Sequence, residues 1–180
     1  RQNLMSNRIV IDLPLPEGRA NGFFLRQADW DGDGRPDFLA AANDPADYPR
    51  SCAFDEHGRW TKGTWHGYVW FYRNAGDGRF DPPIRLEAGD RPIDRVGMAH
   101  PCAGDWDGDG ALELICGEFL DGFAFFDDAA FAAEPILAEG VPLRTADGVL
   151  RLERCMMQPL PVDWNRDGLP DLIVGEEEGH

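Results

Sequence analysis

The chain has few positive charges and no long apolar run. Its 180 residues carry 33 Asp and Glu against 17 Lys and Arg, which gives a formal net charge of -16. This surplus of negative charge argues against nucleic acid as a partner, because binding to nucleic acid depends on neutralising phosphates. No apolar stretch approaches the roughly 18 to 20 residues that a membrane helix needs, so we predict no membrane span.

Several common signals are also missing. The sequence contains no nucleophile elbow, phosphate-binding loop or dinucleotide fingerprint. It begins at Arg1 without a signal-peptide pattern, from which we expect a start that was processed or excised. Apolar residues make up 43% of the chain, enough to bury the core of about one domain. The 21 Gly and 14 Pro imply many tight turns and favour β structure.

One acidic pattern occurs three times. DWDGDGRPD begins at Asp29, DWDGDGALE at Asp105 and DWNRDGLPD at Asp163. Oxygen ligands at alternate positions suit a hard cation such as Ca²⁺, and the Gly at position 6 permits a sharp turn. The pattern therefore predicts three calcium sites, while the alternative is three solvated Asp-Gly turns without an ion.

The predicted ligands occupy positions 1, 3, 5, 7 and 9 of each loop, with position 7 contributing its backbone carbonyl. They are Asp29, Asp31, Asp33, Arg35 and Asp37 in the first loop, Asp105, Asp107, Asp109, Ala111 and Glu113 in the second, and Asp163, Asn165, Asp167, Leu169 and Asp171 in the third. The loops are not EF-hands, because position 12 is Ala40, Cys116 or Val174 instead of Glu. Short apolar, β-prone runs follow each loop, so each is expected to join two strands.

The segments DWDGDGRPDFL, DWDGDGALELICGE and DWNRDGLPDLIVGEEEGH resemble the FG-GAP or VCBS repeat, the calcium-binding blade unit of integrin-type β-propellers. GYVWFYRNAGDGRF is similar to the third strand, turn and fourth strand of such a blade. The resemblance implies an all-β fold of four-stranded antiparallel blades within a seven- or eight-bladed ring. Because a propeller needs at least four blades, we expect this chain to be part of a longer protein and to expose an unpaired strand edge.

The resemblance also implies a division into blades. Residues 8–13 would form the last strand of a preceding blade, blade one would span 22–88 with an insertion at 43–66, blade two would span 97–137, and a partial blade three 156–180. The fourth strand of blade two is expected near residues 135–137. A Trp recurs at position 2 of each loop, and this recurrence predicts packing between blades for Trp30, Trp106 and Trp164.

In this topology all four histidines fall on the rim opposite the calcium loops, which makes that rim the expected ligand face. His100 is expected either to line the central channel as a ligand or catalytic residue, or to be a hydrogen-bonded structural residue. His57 and His66 are candidates for a metal site with Glu56; the alternative is that they are loop residues without a metal. Trp60 is expected, together with Trp65, either to stack on a sugar ring or to pin the insertion onto the blade.

For function, the resemblance implies a secreted or cell-surface propeller that binds polysaccharide, because microbial propellers of this type include polysaccharide lyases. In a lyase acting on a uronate- or rhamnose-containing glycan, a His or Tyr would take the C5 proton while Arg or a cation neutralises the carboxylate. The candidates are His100, Tyr48, Arg50 and Arg95 for catalysis and Trp60, Trp65, His57, His66 and Glu118 for ligand binding. A glycosidase, a non-catalytic adhesion or protein-interaction propeller, and structural blades beside a catalytic domain are the alternatives.

The cysteines leave two interpretations open. Cys102 and Cys116 lie equally far from the centre of the second loop, which would let them face each other as a disulfide. The alternative is that Cys116, which sits in an apolar strand, is a buried thiol. Cys52 and Cys155 carry no pairing signal of their own.

Overall fold

The computed structural model describes Leu13, residues 23–43, 56–57, Thr61, and residues 66–120, 122–127 and 136–179. The strands in chain order are β1 (Phe23–Ala28), β2 (Asp37–Asn43), β3 (His66–Tyr72), β4 (Asn74–Gly76), β5 (Arg79–Phe80), β6 (Ile84–Arg85), β7 (Glu87–Ala88), β8 (Arg91–Pro92), β9 (Asp94–Val96), β10 (His100–Gly104), β11 (Glu113–Gly117), β12 (Phe123–Phe126), β13 (Ile136–Leu137), β14 (Val141–Pro142), β15 (Arg144–Thr145), β16 (Gly148–Val149), β17 (Gln158–Val162) and β18 (Asp171–Gly175). These described ranges contain no helix, which confirms the all-β expectation. Accordingly, they contain no helix of the length and apolarity that a membrane span requires.

The first sheet contains the first acidic loop at one end. Strands β1, β2 and β3 are antiparallel neighbours in that order, and Ala28 pairs with Asp37 where the loop closes. The outer edge of β3 is shared by two short strands, with β6 pairing near the loop end and β9 pairing at the opposite end. Apart from Leu13, the strand expected at residues 8–13 lies outside the described residues. Of the insertion at 43–66, only its two ends, Asn43 and His66, and residues 56–57 and Thr61 are described.

The second sheet has the order β10, β11, β12, β14, and its fourth strand differs from the expected one. Val141 and Pro142 pair with β12, whereas Ile136 and Leu137 leave this sheet and run parallel to β7 of the preceding unit. The placement of the fourth strand near 135–137 was therefore wrong. The physical reason is the burial of Leu137, which is 1% exposed in the core between the two sheets.

The third sheet is a pair, β17 and β18, that carries the third acidic loop. The remaining small hairpins are β4–β5, β7–β8 and β15–β16. Leu160 and Ile173 pair with each other across the third sheet and are exposed large apolar residues. Trp164 in its loop is 74% exposed. This sheet thus presents an apolar surface that none of the described residues covers.

The core lies between sheets stacked face to face. Every residue of β11 is buried, because that strand has a neighbouring sheet on both sides. Leu114 and Cys116 belong to the core shared with the first sheet, whereas Ile115 belongs to the core shared with the third, as the two-residue period of a strand requires. Trp30 and Trp106 join these two cores respectively, which confirms the packing predicted for them. The same prediction is wrong for Trp164, which is 74% exposed and belongs to neither core.

The disulfide interpretation of Cys102 and Cys116 was wrong. The register pairs Cys102 with Ile115 and Cys116 with Pro101, so the two thiols point to opposite faces of the sheet. Both are buried free cysteines, and Cys155 is free as well. Burial raises the pKa of Cys116 to about 12, so its thiol is neutral and unreactive at physiological pH.

A matched pair of glycines tests the stacking of the second and third sheets. Gly117 and Gly175 occupy the same repeat position, but a Cβ on Gly117 would lie 1.9 Å from the Met157 carbonyl oxygen, whereas one on Gly175 would meet nothing closer than 3.9 Å. We expect Gly117→Ala to destabilise the fold by roughly 1 to 3 kcal/mol, the usual cost of overpacking. Gly175→Ala should be nearly neutral. Urea unfolding of both variants measures the difference, and equal stabilities would contradict the observed stacking.

Candidate metal centres

The three acidic loops share one local hydrogen-bond pattern. The position 1 carboxylate accepts a hydrogen bond from the backbone N–H at position 6 in every loop, at distances of 3.0 Å, 3.2 Å and 3.0 Å. The side chain at position 3 accepts from the N–H at position 5, and the carboxylate at position 5 accepts from the N–H at position 7. Such Asx turns are set by nearby residues, so the repeated sequence builds the same loop three times.

The carboxylate at position 9 stands at the start of a strand and is hydrogen-bonded to the beginning of its own loop. It accepts a hydrogen bond from the backbone N–H of the position 2 Trp, at 3.1 Å for Asp37, 2.5 Å for Glu113 and 3.0 Å for Asp171. Asp37 and Glu113 are each 1% exposed. Burial raises the pKa of both carboxyls, partly opposed by the hydrogen bonds that they accept.

The second loop brings more of its acidic side chains together than the other two loops do. One oxygen from each of Asp105, Asp107, Asp109 and Glu113 lies within 4.8 Å of all the others. Calcium–oxygen distances of about 2.3–2.6 Å place ligand oxygens within about 5 Å of one another, so this donor set fits a hard divalent cation. The buried carboxylate of Glu113 strengthens the fit, because a charge removed from water gains from a paired cation.

The first and third loops bring fewer of their predicted ligands together. In the first loop Asp29, Asp31 and Asp37 form a close group, while Asp33 pairs with Arg35. Among the described residues, the third-loop carboxylates form no such group, and Asn165 donates its side-chain amide to Asp167 at 3.0 Å.

The third loop also lacks a glycine at position 4. Arg166 holds a φ of 64° there, where Gly32 and Gly108 occupy the first two loops with φ values of 69° and 81°. A left-handed backbone is unfavourable for a residue with a Cβ, so the third loop is more strained than the other two.

At the opposite end of the sheets, pairing between β3 and β9 brings several predicted ligand residues together. His66 Nδ1 lies 2.5 Å from Asp94 Oδ2, and Arg95 donates to Glu118 at 2.9 Å.

His57 Nε2 lies 3.5 Å from Glu56 Oε1. Within the described ranges, these two residues form no metal-binding group with His66. Sequence reasoning missed Asp94, because no local motif marks a residue that becomes a partner only through strand pairing. Tyr48, Arg50, Trp60 and Trp65 lie outside the described residues.

His100 is buried beside β1. It is 2% exposed, and its ring centroid lies 4.2 Å from that of Phe24. Among the residues that the structure describes, neither ring nitrogen of His100 has a hydrogen-bond partner. Burial lowers its pKa to about 4, and the positive charge of Arg26 adds to this effect. Its catalytic role stays a prediction.

Comparison with known proteins gives a family match and likenesses to solved structures. A family model described as an FG-GAP-like repeat matches residues 29–116, the stretch that holds the first two loops. A structure of the Photorhabdus luminescens Tc holotoxin pore is similar in fold, with 23% identity and a TM-score of 0.50. The likeness covers 90% of this chain but 6% of the toxin chain. No curated protein matches the sequence.

The buried His100 predicts a specific loss of stability in acid. Its pKa of about 4 lies below the ordinary value of 6.5, so between these values the unfolded chain takes up the proton and the folded chain does not. This residue should therefore lower the free energy of unfolding by about 2 to 3 kcal/mol as the pH falls from 7.5 to 4.5. His100→Met removes the titrating group while keeping an apolar fit.

Denaturant unfolding of both proteins at the two pH values isolates this contribution, because every other residue is the same in both. Wild type should lose more stability than His100→Met by the amount given. The same loss in both proteins would show that His100 is accessible or already partnered.

Proposed function

We propose that this chain is a calcium-stabilised, extracellular β-propeller unit that serves as an interaction module. The observation that carries the proposal is the second loop, where four carboxylates converge and one of them is buried at the start of β11. The FG-GAP-like match and the all-β stacked sheets support the same type of module. Ca²⁺ would be held in all three loops by the ligands predicted at positions 1, 3, 5, 7 and 9.

The place of the loops explains what the ion would do. Each loop joins the first two strands of its sheet, and its position 9 carboxylate is hydrogen-bonded to the Trp backbone beside it. Like charges held this closely repel one another, and a bound divalent cation supplies the positive charge that offsets the repulsion. Binding to the folded form alone then adds its free energy to stability.

A chelator should reveal this role directly. At a Ca²⁺ concentration a hundredfold above the dissociation constant, one site contributes about 2.7 kcal/mol, so excess chelator should lower the melting temperature by several degrees or more. Asp107→Ala should remove one bound ion and most of the corresponding stabilisation. Asp147→Ala, an exposed carboxylate in the β15–β16 turn, is the control and should keep every ion.

Calcium content by atomic absorption and melting curves with and without chelator give the two readouts. Unchanged melting in chelator, together with no ion lost from Asp107→Ala, would overturn the proposal. Mg²⁺ at the same concentration distinguishes calcium from a general effect of divalent charge.

A second candidate function is binding of an acidic glycan, and it is based on one groove. This groove of about 470 Å³ lies on the β3–β9 side and is lined by polar side chains of Tyr68, Arg91, Asp94, Arg95 and Glu139. Its apolar lining includes Ile93 and Phe126. Donors, acceptors and apolar surface together suit a sugar ring that bears a carboxylate. The enzymatic form, a lyase or glycosidase with His100 as base, would require His100 to reach solvent from its buried position.

Titration with uronate oligosaccharides tests this candidate. Arg91 is exposed, so Arg91→Ala should leave the fold intact while weakening binding about tenfold, and Arg79→Ala on a distant hairpin should have no effect. Absence of binding by wild type would remove the glycan candidate and leave the calcium proposal untouched.

A further inference from the structure

The first two acidic loops are alike in backbone but differ in what surrounds their carboxylates. In each loop the position 3 carboxylate uses Oδ1 to accept the position 5 N–H, and the position 5 carboxylate uses Oδ1 to accept the position 7 N–H. The second oxygen of each of these carboxylates, Oδ2, takes no part in these Asx turns. The two loops differ in what contacts this second oxygen.

In the first loop, arginines occupy both second oxygens. Arg73 Nε lies 3.0 Å from Asp31 Oδ2, and the guanidinium of Arg35 pairs with Asp33 Oδ2. Arg35 is held in place by its second contact, a hydrogen bond of 3.0 Å to the carbonyl oxygen of Asn74. Asp33 accordingly stands outside the close group that Asp29, Asp31 and Asp37 form.

The second loop has no arginine in these positions. Ala111 stands where the first loop has Arg35, and within the described ranges no ion pair involves Asp107 or Asp109. Asp109 therefore joins the close group of carboxylates, unlike its counterpart Asp33. Two tethered positive charges therefore distinguish the first loop from the second, while the Asx turns at positions 3 and 5 are the same.

We propose that Arg35 and Arg73 lower the Ca²⁺ affinity of the first loop, so that the second loop fills first as the Ca²⁺ concentration rises. This rests on the proposed calcium binding. To ligate the ion, Asp31 and Asp33 must exchange a guanidinium for Ca²⁺ or hold both, and two positive charges at one carboxylate repel. Both arginines are about half exposed, at 51% and 50%, so solvent screens them and the effect of each is modest.

Calorimetric titration with CaCl₂ measures the first loop when the other two are disabled by Asp107→Ala and Asp167→Ala. In that background Arg73→Ala should raise the affinity about threefold to tenfold, and Arg35→Ala, which keeps the backbone carbonyl ligand, should do the same. Arg79→Ala is the control, because Arg79 pairs with Asp77, which is not a predicted ligand.

The reciprocal variant transfers the arginine to the second loop. With the other loops disabled by Asp31→Ala and Asp167→Ala, Ala111→Arg should weaken Ca²⁺ binding to the second loop about threefold to tenfold, whereas Ala111→Gln should not. Gln extends the side chain without charge, so it separates charge from bulk. This arm keeps the test decisive if a first-loop variant fails to fold.

The outcomes separate the two proposals. Ca²⁺ binding by wild type with equal affinities at the two loops, unaffected by either arginine, would overturn this inference alone. A fall in first-loop affinity on removing Arg35 or Arg73 would also overturn it, because the arginines would then support the ligands. No Ca²⁺ binding by wild type at any loop would instead overturn the calcium proposal on which the inference depends.

Discussion

The structure depends most on one hydrogen bond, from the backbone N–H of a loop Trp to the carboxylate that begins the next strand. In the first two sheets that carboxylate, Asp37 or Glu113, is buried, so the bond satisfies a charge that would otherwise be costly to remove from water. The Trp whose backbone donates this bond also places its ring at the core between sheets. The same short segment therefore joins the acidic loop to the packing of the whole fold.

Stacking of the sheets determines how deeply the loop is anchored. Trp30 lies in the core between the first and second sheets, and Trp106 packs against the core between the second and third. The third loop makes the same hydrogen bond, but its Trp164 is 74% exposed. Burial of the base of a loop is thus a consequence of the neighbouring sheet, since the three loop sequences are nearly the same.

The electrostatic surroundings of the loop carboxylates are set by charged side chains that come from different distances along the chain. Arg35 belongs to the first loop itself, whereas Arg73 arrives from the end of β3. In the third loop the amide of Asn165 takes an oxygen of Asp167, and the left-handed Arg166 adds strain. Loops that look equivalent as sequence therefore differ in electrostatics: the second brings all four of its carboxylates together, and the first brings together three.

Local sequence by itself determined the acidic loops and the strands beside them, because Asx turns and two-residue alternation act over a few neighbouring positions. From those rules the all-β class and the inward Trp30 and Trp106 were predictable, and the ligand positions stay a prediction. Tertiary structure alone decided the parallel pairing of Ile136 and Leu137 with β7, and likewise the opposite faces of the two central cysteines. It also decided the burial of His100 beside Phe24 and the approach of Arg73 to Asp31. These contacts join residues far apart in the chain, where strand register and the burial of apolar surface outweigh any local preference.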